Sequence, residues 1–513
     1  MPTLTTQTDG RTRRGFGRTY LALQRSLRAS FRVGTVIWAL TVGTVLSYGS
    51  AFSIAELGVR AAGMGTAFIG VADDGSALFY NPAGIAFQPG GHMQMDSPVV
   101  IGLFRFTPSS TPVGQVVPEK GYSQSIRPHF IPLANLYVTQ QLSPKLTIGV
   151  GVFTPFGLAA NSTNFNDADP NLTKFVGRFA GTRDLLQAFW FQPTVAYRLT
   201  ENSSIAIGPA IVHTHLFIEQ SILNPVGDAL EFGRTAAPTI FPGVPVEQAA
   251  HVIARLLPEG RFRVAGTANS PAVALGYLWN RPSAKTSVGF SFRSAVVSHL
   301  KGKASFAFGT GYTLEQYIGS DFLYKQFPNQ AVSGSFLTPA TYGVGVRNSS
   351  FHDITIAADV RFQDYQRFQS VPLNFTVNSS NASVALPQEQ RLNFDFRNSV
   401  NVAVGMEKAL SPNLTARAGY IFDRSPVPDK SVGPFFPDAD RDSITVGATR
   451  KSGAREFSFF YEAMKFRDRV TNVAANDNVY TNGDYHNFAH LVGISLRFGT
   501  PEFLKIKSHY HND

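Results

Sequence analysis

Apolar and polar side chains alternate with a period of two in one segment of this chain after another. From Asn393 to Glu407, one face carries Phe394, Phe396, Asn398, Val400, Val402, Val404 and Met406. The opposite face carries Asn393, Asp395, Arg397, Ser399, Asn401, Ala403, Gly405 and Glu407. A period of two predicts a β-strand, and a polar inner face is typical of a membrane barrel rather than of a soluble sandwich.

Similar alternation predicts an even number of strands along most of the chain. The fourteen expected strands begin near Met93, Phe130, Leu146, Asp184, Ser203, Phe262, Lys285, Gly334, His352, Asn393, Asn413, Asp442, Arg455 and His486. Short turns are expected at 142–145, 200–202, 280–283, 348–351, 410–412 and 451–454, alternating with long connections. This pattern predicts an all-β transmembrane barrel of fourteen antiparallel strands, with short periplasmic turns and long external loops. The alternative is a large secreted β-sandwich or propeller.

Composition narrows the functional classes. The chain has no cysteine, which excludes disulfides, thiolate metal sites and cysteine nucleophiles. After residue 51 it has no further uncharged run long enough for a spanning helix. A membrane role therefore requires a barrel.

Residues 1–51 have the pattern of a secretory signal. Seven arginines and one acid precede an uncharged apolar run from Val33 to Tyr48, and small residues end the run near Ala51. Most of the formal charge of +10 on the chain comes from this leader, so the charge does not indicate nucleic-acid binding. The alternative is that residues 1–51 form a membrane anchor.

Residues 52–90 do not alternate and are rich in alanine and glycine. They contain Gly63-Met64-Gly65-Thr66-Ala67, then 72–77 (A-D-D-G-S-A), then 79–84 (F-Y-N-P-A-G). This succession resembles the N-terminal hatch of the FadL/TodX family of outer-membrane transporters for long-chain fatty acids and hydrophobic compounds. Further matches occur at 151–157 (G-V-F-T-P-F-G), 289–294 (G-F-S-F-R-S) and 422–429 (F-D-R-S-P-V-P-D). The resemblance covers essentially the whole chain after the leader.

The resemblance implies a barrel over 91–498 whose interior is plugged by a helical hatch over 52–90, with a C-terminal tail over 499–513. It implies passive outer-membrane transport of long-chain fatty acids or other hydrophobic small molecules. External loops would capture the ligand, and the barrel wall would release it laterally. The hatch positions carried over are Gly63, Gly65, Asp73, Asp74, Asn81, Pro82, Ala83 and Gly84.

Pro155 stands within a strand otherwise expected to pair on both sides. Proline lacks the donor for the ladder, and Gly149, Gly151 and Gly157 around it tolerate distortion. A lateral exit is expected here by resemblance. The alternative is that Pro155 only ends the strand at a loop.

Two loops carry apolar side chains suited to ligand capture. In the first, Val246, Ala250, Ile253 and Leu257 fall at helical spacing. In the second, Leu314, Tyr317, Ile318 and Phe322 cluster. By resemblance these loops form the initial ligand site, and the alternative is that they pack on each other.

Fatty-acid transporters of this family meet the ligand carboxylate with basic side chains inside the barrel. The candidates here are His213, His215, Arg361 and Arg367. Arginines inside a barrel also pair with acids such as Asp359, and the weakly basic histidines leave room for neutral alkanes or aromatics.

No enzymatic motif is present, so we expect neither catalysis nor a cofactor or metal. The acidic group Asp438, Asp440 and Asp442 lacks the glycine and distal glutamate of a calcium loop. The expected partners are a hydrophobic small molecule such as a fatty acid, alkane or aromatic, outer-membrane lipid and the barrel assembly machinery, without nucleic acid. We expect a monomer in the outer membrane of a Gram-negative bacterium. The alternative functions are a general polar porin and an outer-membrane lipid hydrolase.

Overall fold

Fourteen antiparallel strands form a closed ring in this computed structural model. The described residues are 51–108, 124–126, 129–161, 165–167, 176–222, 229–256, 258, 260–308, 314–319, 327–376, 389–433, 436–472 and 481–499. The chain divides into two units, Met1–Leu46 and Ser47–Asp513. The first unit, and with it almost all of the predicted signal, lies outside the described residues, as do residues 500–513 of the predicted tail.

Several strands consist of more than one segment. Their bounds are β1 Gly91–Pro108; β2 Gln124–Ile126, His129–Pro132 and Asn135–Gln141; β3 Leu146–Asn161 and Phe165–Asp167; β4 Arg183–Thr200; β5 Ser203–Ile222; β6 Gly260–Arg281; β7 Thr286–Arg293 and Val296–Phe308; β8 Gln330–Thr338 and Thr341–Phe351; β9 Ile354–Gln363 and Ser370–Phe375; β10 Glu389–Asn393 and Ser399–Ser411; β11 Leu414–Asp423; β12 Arg441–Ser452; β13 Arg455–Phe466 and Arg469–Val470; β14 Gly483–Gly499.

Each strand pairs with its two neighbours in sequence, and the ring closes between β1 and β14. That closing ladder runs from His92 opposite Gly499 to Pro108 opposite Gly483. Every predicted strand start lies inside the observed strand or within two residues of it. The prediction of a fourteen-stranded barrel is therefore confirmed, and the β-sandwich alternative is excluded because closure leaves no edge strand.

Six connections of two to four residues lie at one end of the barrel, which we call the short-turn end. The opposite end, with the longer connections, is the long-loop end. One predicted turn is displaced: β8 continues through a register shift to Phe351, and His352 and Asp353 form the turn with positive φ values of 45° and 57°.

The outward faces of the strands are apolar. Large exposed side chains include Ile205, Ile207 and Ile211 on β5 and Val344 and Val346 on β8. The inward positions between them are small or polar, as the alternation predicts for a barrel in lipid.

The predicted alternation over 393–407 is interrupted. Residues 394–398 are not in a strand, and Asp395 has a φ of 49°. Phe394 and Phe396, expected on the outer face, are consequently buried. From Ser399 onward the small and polar residues are buried and the valines less so, as predicted.

In the described part of the chain, helices occur before β1, in the connections and, as one short turn, between the two segments of β9. They are α1 Val59–Ala62, α2 Ala77–Tyr80, α3 Ala229–Ile240, α4 Val246–Leu256 and α5 Glu315–Ile318, with 3₁₀ turns at Pro82–Phe87, Val176–Phe179, Pro282–Ala284, Tyr365–Arg367 and Asp429–Ser431. None of these described helices has the length and apolar character that crossing a membrane requires.

Candidate functional site

Residues 51–90, which we call the N-terminal segment, contact strands on all sides of the ring. Helix α1 packs against β12, β13 and β14, and the Pro82–Phe87 turn packs against β3, β4, β5 and β6. Gly63 lies beside Gly447 of β12, where an added Cβ would be 3.0 Å from the Gly63 Cα. Gly65, with a φ of 61°, lies against Tyr420 of β11. Larger residues here would force the segment away from the wall.

Polar groups of the wall hold the backbone of this segment. Asp359 Oδ2 of β9 accepts hydrogen bonds from Phe68 N at 2.7 Å and Ile69 N at 2.8 Å. Arg361, two residues on, donates to the carbonyl and hydroxyl oxygens of Thr66. Because buried N–H groups are costly to leave unpaired, these contacts select one seated position for the segment.

The predicted hatch residues occupy different places within the segment. Asp73 is partly exposed and pairs with Arg60, which also bonds Glu407 of β10 at 2.9 Å. Asp74 is buried and accepts from Ser76 Oγ at 2.6 Å, and burial raises the pKa of the Asp74 carboxyl. Gly84 packs closely on Ala72.

Asn81 precedes the Pro82–Phe87 turn and links it to the wall. Its amide donates to Ile69 O and Tyr277 O, both at 3.0 Å, and its oxygen accepts from Ala83 N. Ser204 of β5 donates to the carbonyl of Ala83 at 2.8 Å.

We expect Asp359→Ala to loosen the N-terminal segment. The change leaves two buried N–H groups without their acceptor, at a cost of about 1–3 kcal/mol each. Hydrogen exchange at residues 60–72 should speed up, and single-channel conductance in planar bilayers should rise.

Asp359→Asn is the matched control, because it keeps one acceptor oxygen and should give a smaller change. Unaltered exchange and conductance in the alanine variant would show that Asp359 does not hold the segment.

Strand β3 is distorted at Pro155. Its register with β4 shifts between Phe153 and Phe156. The N-terminal segment supplies hydrogen-bond partners for the backbone that leaves the ladder: Ile54 N donates to Pro155 O at 2.8 Å, and Gly157 N donates to Phe52 O at 2.9 Å. Proline therefore interrupts this strand within the wall and does not end it.

The distortion accompanies a window in the wall. The ladder between β2 and β3 runs from Gln141 opposite Thr147 to Leu136 opposite Val152, and it stops there. It resumes only where Gln124–Ile126 pairs with Phe165–Asp167, while β3 stays paired with β4 up to Asn161. Among the described residues, 153–161 therefore have no backbone partner on β2, and the ring of hydrogen bonds is open over this stretch.

A cavity of about 380 Å³ lies at the window. From the interior, Ile54, Val100 and Phe436 line it; from the outer face, Phe189, which is 40% exposed, lines it. Gly157 lies between them on β3. The lining is mainly apolar and joins the barrel interior to the lipid-facing surface.

Buried aromatic rings continue the apolar lining inward. This aromatic cluster consists of Phe52, Phe336, Tyr365, Phe368, Phe396 and Phe436. Phe52 lies at its centre, with ring centroids 5.2 Å from Tyr365 and 5.7 Å from Phe436. The cluster brings β8, β9, β10 and the connection before β12 against Phe52, the first residue after Ala51.

Gly149 and Gly151, predicted at the exit, lie in the paired part of β3. They face Leu78 of α2: a Cβ at Gly149 would lie 2.9 Å from Leu78 Cδ2. Their small size admits the N-terminal segment, whereas Pro155 and Gly157 lie at the window itself.

Arg293, at the end of the first segment of β7, is a buried cation without a carboxylate partner among the described residues. Its Nη2 donates to Phe79 O at 2.9 Å, and its Nε has no hydrogen-bond partner. The guanidinium carbon lies 4.4 Å from the ring centroid of Phe79 and 5.0 Å from that of Trp190. Aromatic faces offset part of the charge, but a buried cation is fully compensated only by an anion.

Arg293 also borders a small cavity of about 30 Å³ beside the window. Arg361, Asn401 and Pro155 are among its other lining residues. Arg293 was not among the residues predicted from the sequence, although it stands in the G-F-S-F-R-S motif and lies on the face opposite to the outward Phe290.

The structure places the four predicted head-group residues apart. His213 is on the outer face of β5, between the buried Val212 and Thr214, and its Nδ1 lies 2.9 Å from Asn269 Oδ1. His215 shares that face, and Arg367 is exposed in a 3₁₀ turn. Only Arg361 points inward. The two histidines occupy odd-numbered positions of β5, as do Ile207 and Ile211, and therefore face the same side. The apolar character of the two isoleucines identifies this side as the lipid side.

The predicted capture residues are only partly described. Ala250 and Ile253 are buried between α3 and α4, while Val246 is 44% exposed. Leu314 is buried and Tyr317 exposed, with the Tyr317 ring 6.3 Å from that of Phe241. Leu257, Phe322 and the side chain of Ile318 lie outside the described residues.

Asp438 and Asp440, the acidic residues before β12, contact side chains of other segments. Asp438 accepts from Ser425 Oγ at 2.7 Å, and Asp440 lies 3.7 Å from Arg467. Burial raises the pKa of Asp440 to about 6. In the part of the chain that is described, no group of three His, Cys, Asp or Glu side chains is arranged to hold a metal.

Comparison with known proteins agrees with this geometry. Residues 40–498 match the family described as outer membrane protein transport protein (OMPP1/FadL/TodX). The chain belongs to this family. It consists of outer-membrane transport proteins, which confirms the predicted location and the absence of an enzymatic role.

Individual relatives are distant. Outer membrane protein P1 of Haemophilus influenzae is 24% identical over 422 residues, covering 78% of this chain and 83% of its own. A FadL homologue of Pseudomonas aeruginosa superposes with a TM-score of 0.67 at 18% identity, over 88% of this chain and all of the other. The toluene transporter TodX of P. putida superposes with a TM-score of 0.57 at 14% identity, over 83% and 94%. At these identities the two structures establish the shared fold.

Proposed function

We propose that this protein carries hydrophobic small molecules passively across the outer membrane and releases them sideways through the window between β2 and β3. The observation that carries the proposal is the apolar cavity at the window, bordered by Ile54 on the inside and Phe189 on the outside. A ligand there leaves the interior directly into lipid.

Lateral release is favourable for an oily ligand. Each methylene kept out of water is worth about 0.8 kcal/mol, so a water-filled pore would oppose passage of a long chain. The cavity, which the aromatic cluster borders on its inner side at Phe436, offers an apolar exit that avoids this cost. A general polar porin offers no such path.

Capture is assigned to the long-loop end. Val246, Tyr317 and Val252 expose apolar surface on the helices there, and exposed apolar surface is the usual mark of a contact site. The buried Ala250 and Ile253 hold α3 and α4 together and support that surface.

The N-terminal segment is proposed to act as the hatch. It contacts all sides of the barrel wall, and its first residues bond the distorted part of β3 beside the window. A continuous aqueous pore is thereby blocked while the window stays beside the apolar path.

A fatty acid is the ligand class favoured by Arg293. A carboxylate in the small cavity would supply the missing counter-charge, and the alkyl chain would occupy the larger cavity. Charge-assisted bonds to a buried guanidinium are strong enough to discriminate a carboxylate from a neutral head. TodX is described as a toluene transporter, so aromatics are the competing ligand class.

The test is to incubate the purified barrel with an equimolar mixture of long-chain fatty acids, alkanes and monoaromatics, and to identify retained compounds by mass spectrometry. We expect retention of hydrophobic compounds, with fatty acids enriched, and low ion conductance in planar bilayers. If no apolar compound is retained and conductance is high, the porin alternative holds instead.

A further inference from the structure

The outer face of the barrel carries an unbalanced group of basic side chains at the long-loop end. We call Arg261, Arg263, Lys301 and Lys303, on β6 and β7, the basic belt. All four are exposed and alternate with buried residues of the inner face, such as Phe262 on β6 and Ala304 on β7. They therefore point away from the barrel, toward whatever surrounds its wall.

The strand register brings the belt together. Lys301 lies opposite Thr267, Lys303 opposite Ala265, and Arg263 opposite Ser305. Same-face residues along a strand are about 7 Å apart, and neighbouring strands are about 4.8 Å apart. The belt is thus a compact patch across two adjacent strands.

The residues around the belt provide almost no negative charge. On β8, Ser333 and Ala331 lie opposite the two lysines. Glu219 is the acid that contacts the belt; it is buried and binds Arg263. In the described part of the chain, Arg261, Lys301 and Lys303 have no acidic partner within 4 Å.

On β13 at the long-loop end, Lys465 and the neighbouring Arg467 are paired with acids. Lys465 bonds Asp468 at 2.8 Å, and Arg467 lies 3.5 Å from Asp442. The belt thus differs from these two groups, whose positive charge is balanced within the protein.

The height of the belt indicates its partner. Going outward along β5, the outer face changes from Ile207 and Ile211 to the polar His213 and His215. Lys301 lies one strand beyond Thr267, which pairs with His215. The belt therefore starts where the apolar part of the outer face ends. Its side chains point away from the barrel wall at the level of the lipid head groups.

We propose that the basic belt binds the phosphate groups of the phosphorylated glycolipid that forms the outer leaflet of the outer membrane. Ammonium and guanidinium groups are good donors to phosphate oxygens, and an unbalanced cluster attracts a multiply charged anion most strongly. A soluble acidic protein would approach the loops, whereas the belt lies on the side wall directly above the lipid band.

The test measures the affinity of the full-length protein, in neutral detergent, for bisphosphorylated lipid A and for the same lipid A after enzymatic removal of its phosphates. The variant is Lys301→Gln/Lys303→Gln. The matched control, Lys408→Gln/Lys465→Gln, removes two lysines away from the belt. The heat-modifiable shift on a gel verifies that each protein is folded.

We expect the wild type to bind bisphosphorylated lipid A about tenfold or more tightly than the dephosphorylated form, a difference that falls as salt is added. The belt variant should lose this difference, and the control should keep it. Equal affinity for both lipids, or an unchanged belt variant, would overturn the proposal. Displacement of lipid A by millimolar inorganic phosphate would also overturn it, because the site would then bind free anions.

Discussion

Gly157→Trp is expected to reduce uptake of hydrophobic ligands about tenfold or more, since a barrier only about 1.4 kcal/mol higher slows passage tenfold. Gly157 borders the cavity at the window, where a Cβ would be 3.0 Å from Ile54 Cδ1 and 3.5 Å from Leu186 O. An indole ring at this position fills the cavity and closes the path into lipid. Uptake of a radiolabelled ligand by cells that depend on the protein gives the rate.

Gly157→Ala is the control at the same position, because one methyl group leaves most of the cavity open. Both variants should keep the heat-modifiable folded band. A tryptophan variant that is folded and transports at the normal rate would exclude the window as the exit.

Arg293→Met is expected to abolish preference for carboxylates. Removing one charge-assisted bond costs about 1.5–3 kcal/mol, which corresponds to roughly a 10- to 100-fold loss in affinity for fatty acids. Affinity for an alkane or a monoaromatic of similar size should change little. Because Arg293 is a buried cation without an acid partner among the described residues, its replacement by an apolar side chain should not unfold the barrel.

The comparison variant is Arg367→Gln, which removes an exposed arginine and should bind both ligand classes like the wild type. Arg293→Lys keeps the charge and should retain part of the preference. Equal losses for fatty acids and neutral ligands in Arg293→Met would show that Arg293 acts through packing alone, and fatty-acid selectivity would have to be assigned elsewhere.

The strands could be predicted from local patterns because a barrel in lipid imposes the same requirement at every outward position. Ile205, Ile207 and Ile211 must be apolar to face acyl chains, and the residues between them are free to be polar. Since alternate residues of a strand face opposite sides, their positions along the strand also give the outward direction of His213 and His215, and of the basic belt.

The same local patterns fail where the backbone leaves the strand. Asp395 adopts a positive φ, so Phe394 and Phe396 turn inward to join Phe52 and Phe436. Alternation counted through such a break assigns every residue before it to the wrong face.

The sequence was sufficient for the number of strands, the positions of five of the six short turns and the family, because each depends on residues that are near one another in the chain or on motifs in a fixed order. The tertiary structure was needed for the window, the cavity and the environment of Arg293. Ile54 meets Pro155, and Arg293 meets Phe79, across separations of more than a hundred residues. The missing hydrogen bonds between β2 and β3, and the charge of Arg293, can be recognised only in the closed barrel with the N-terminal segment in place, because they depend on contacts between distant parts of the chain.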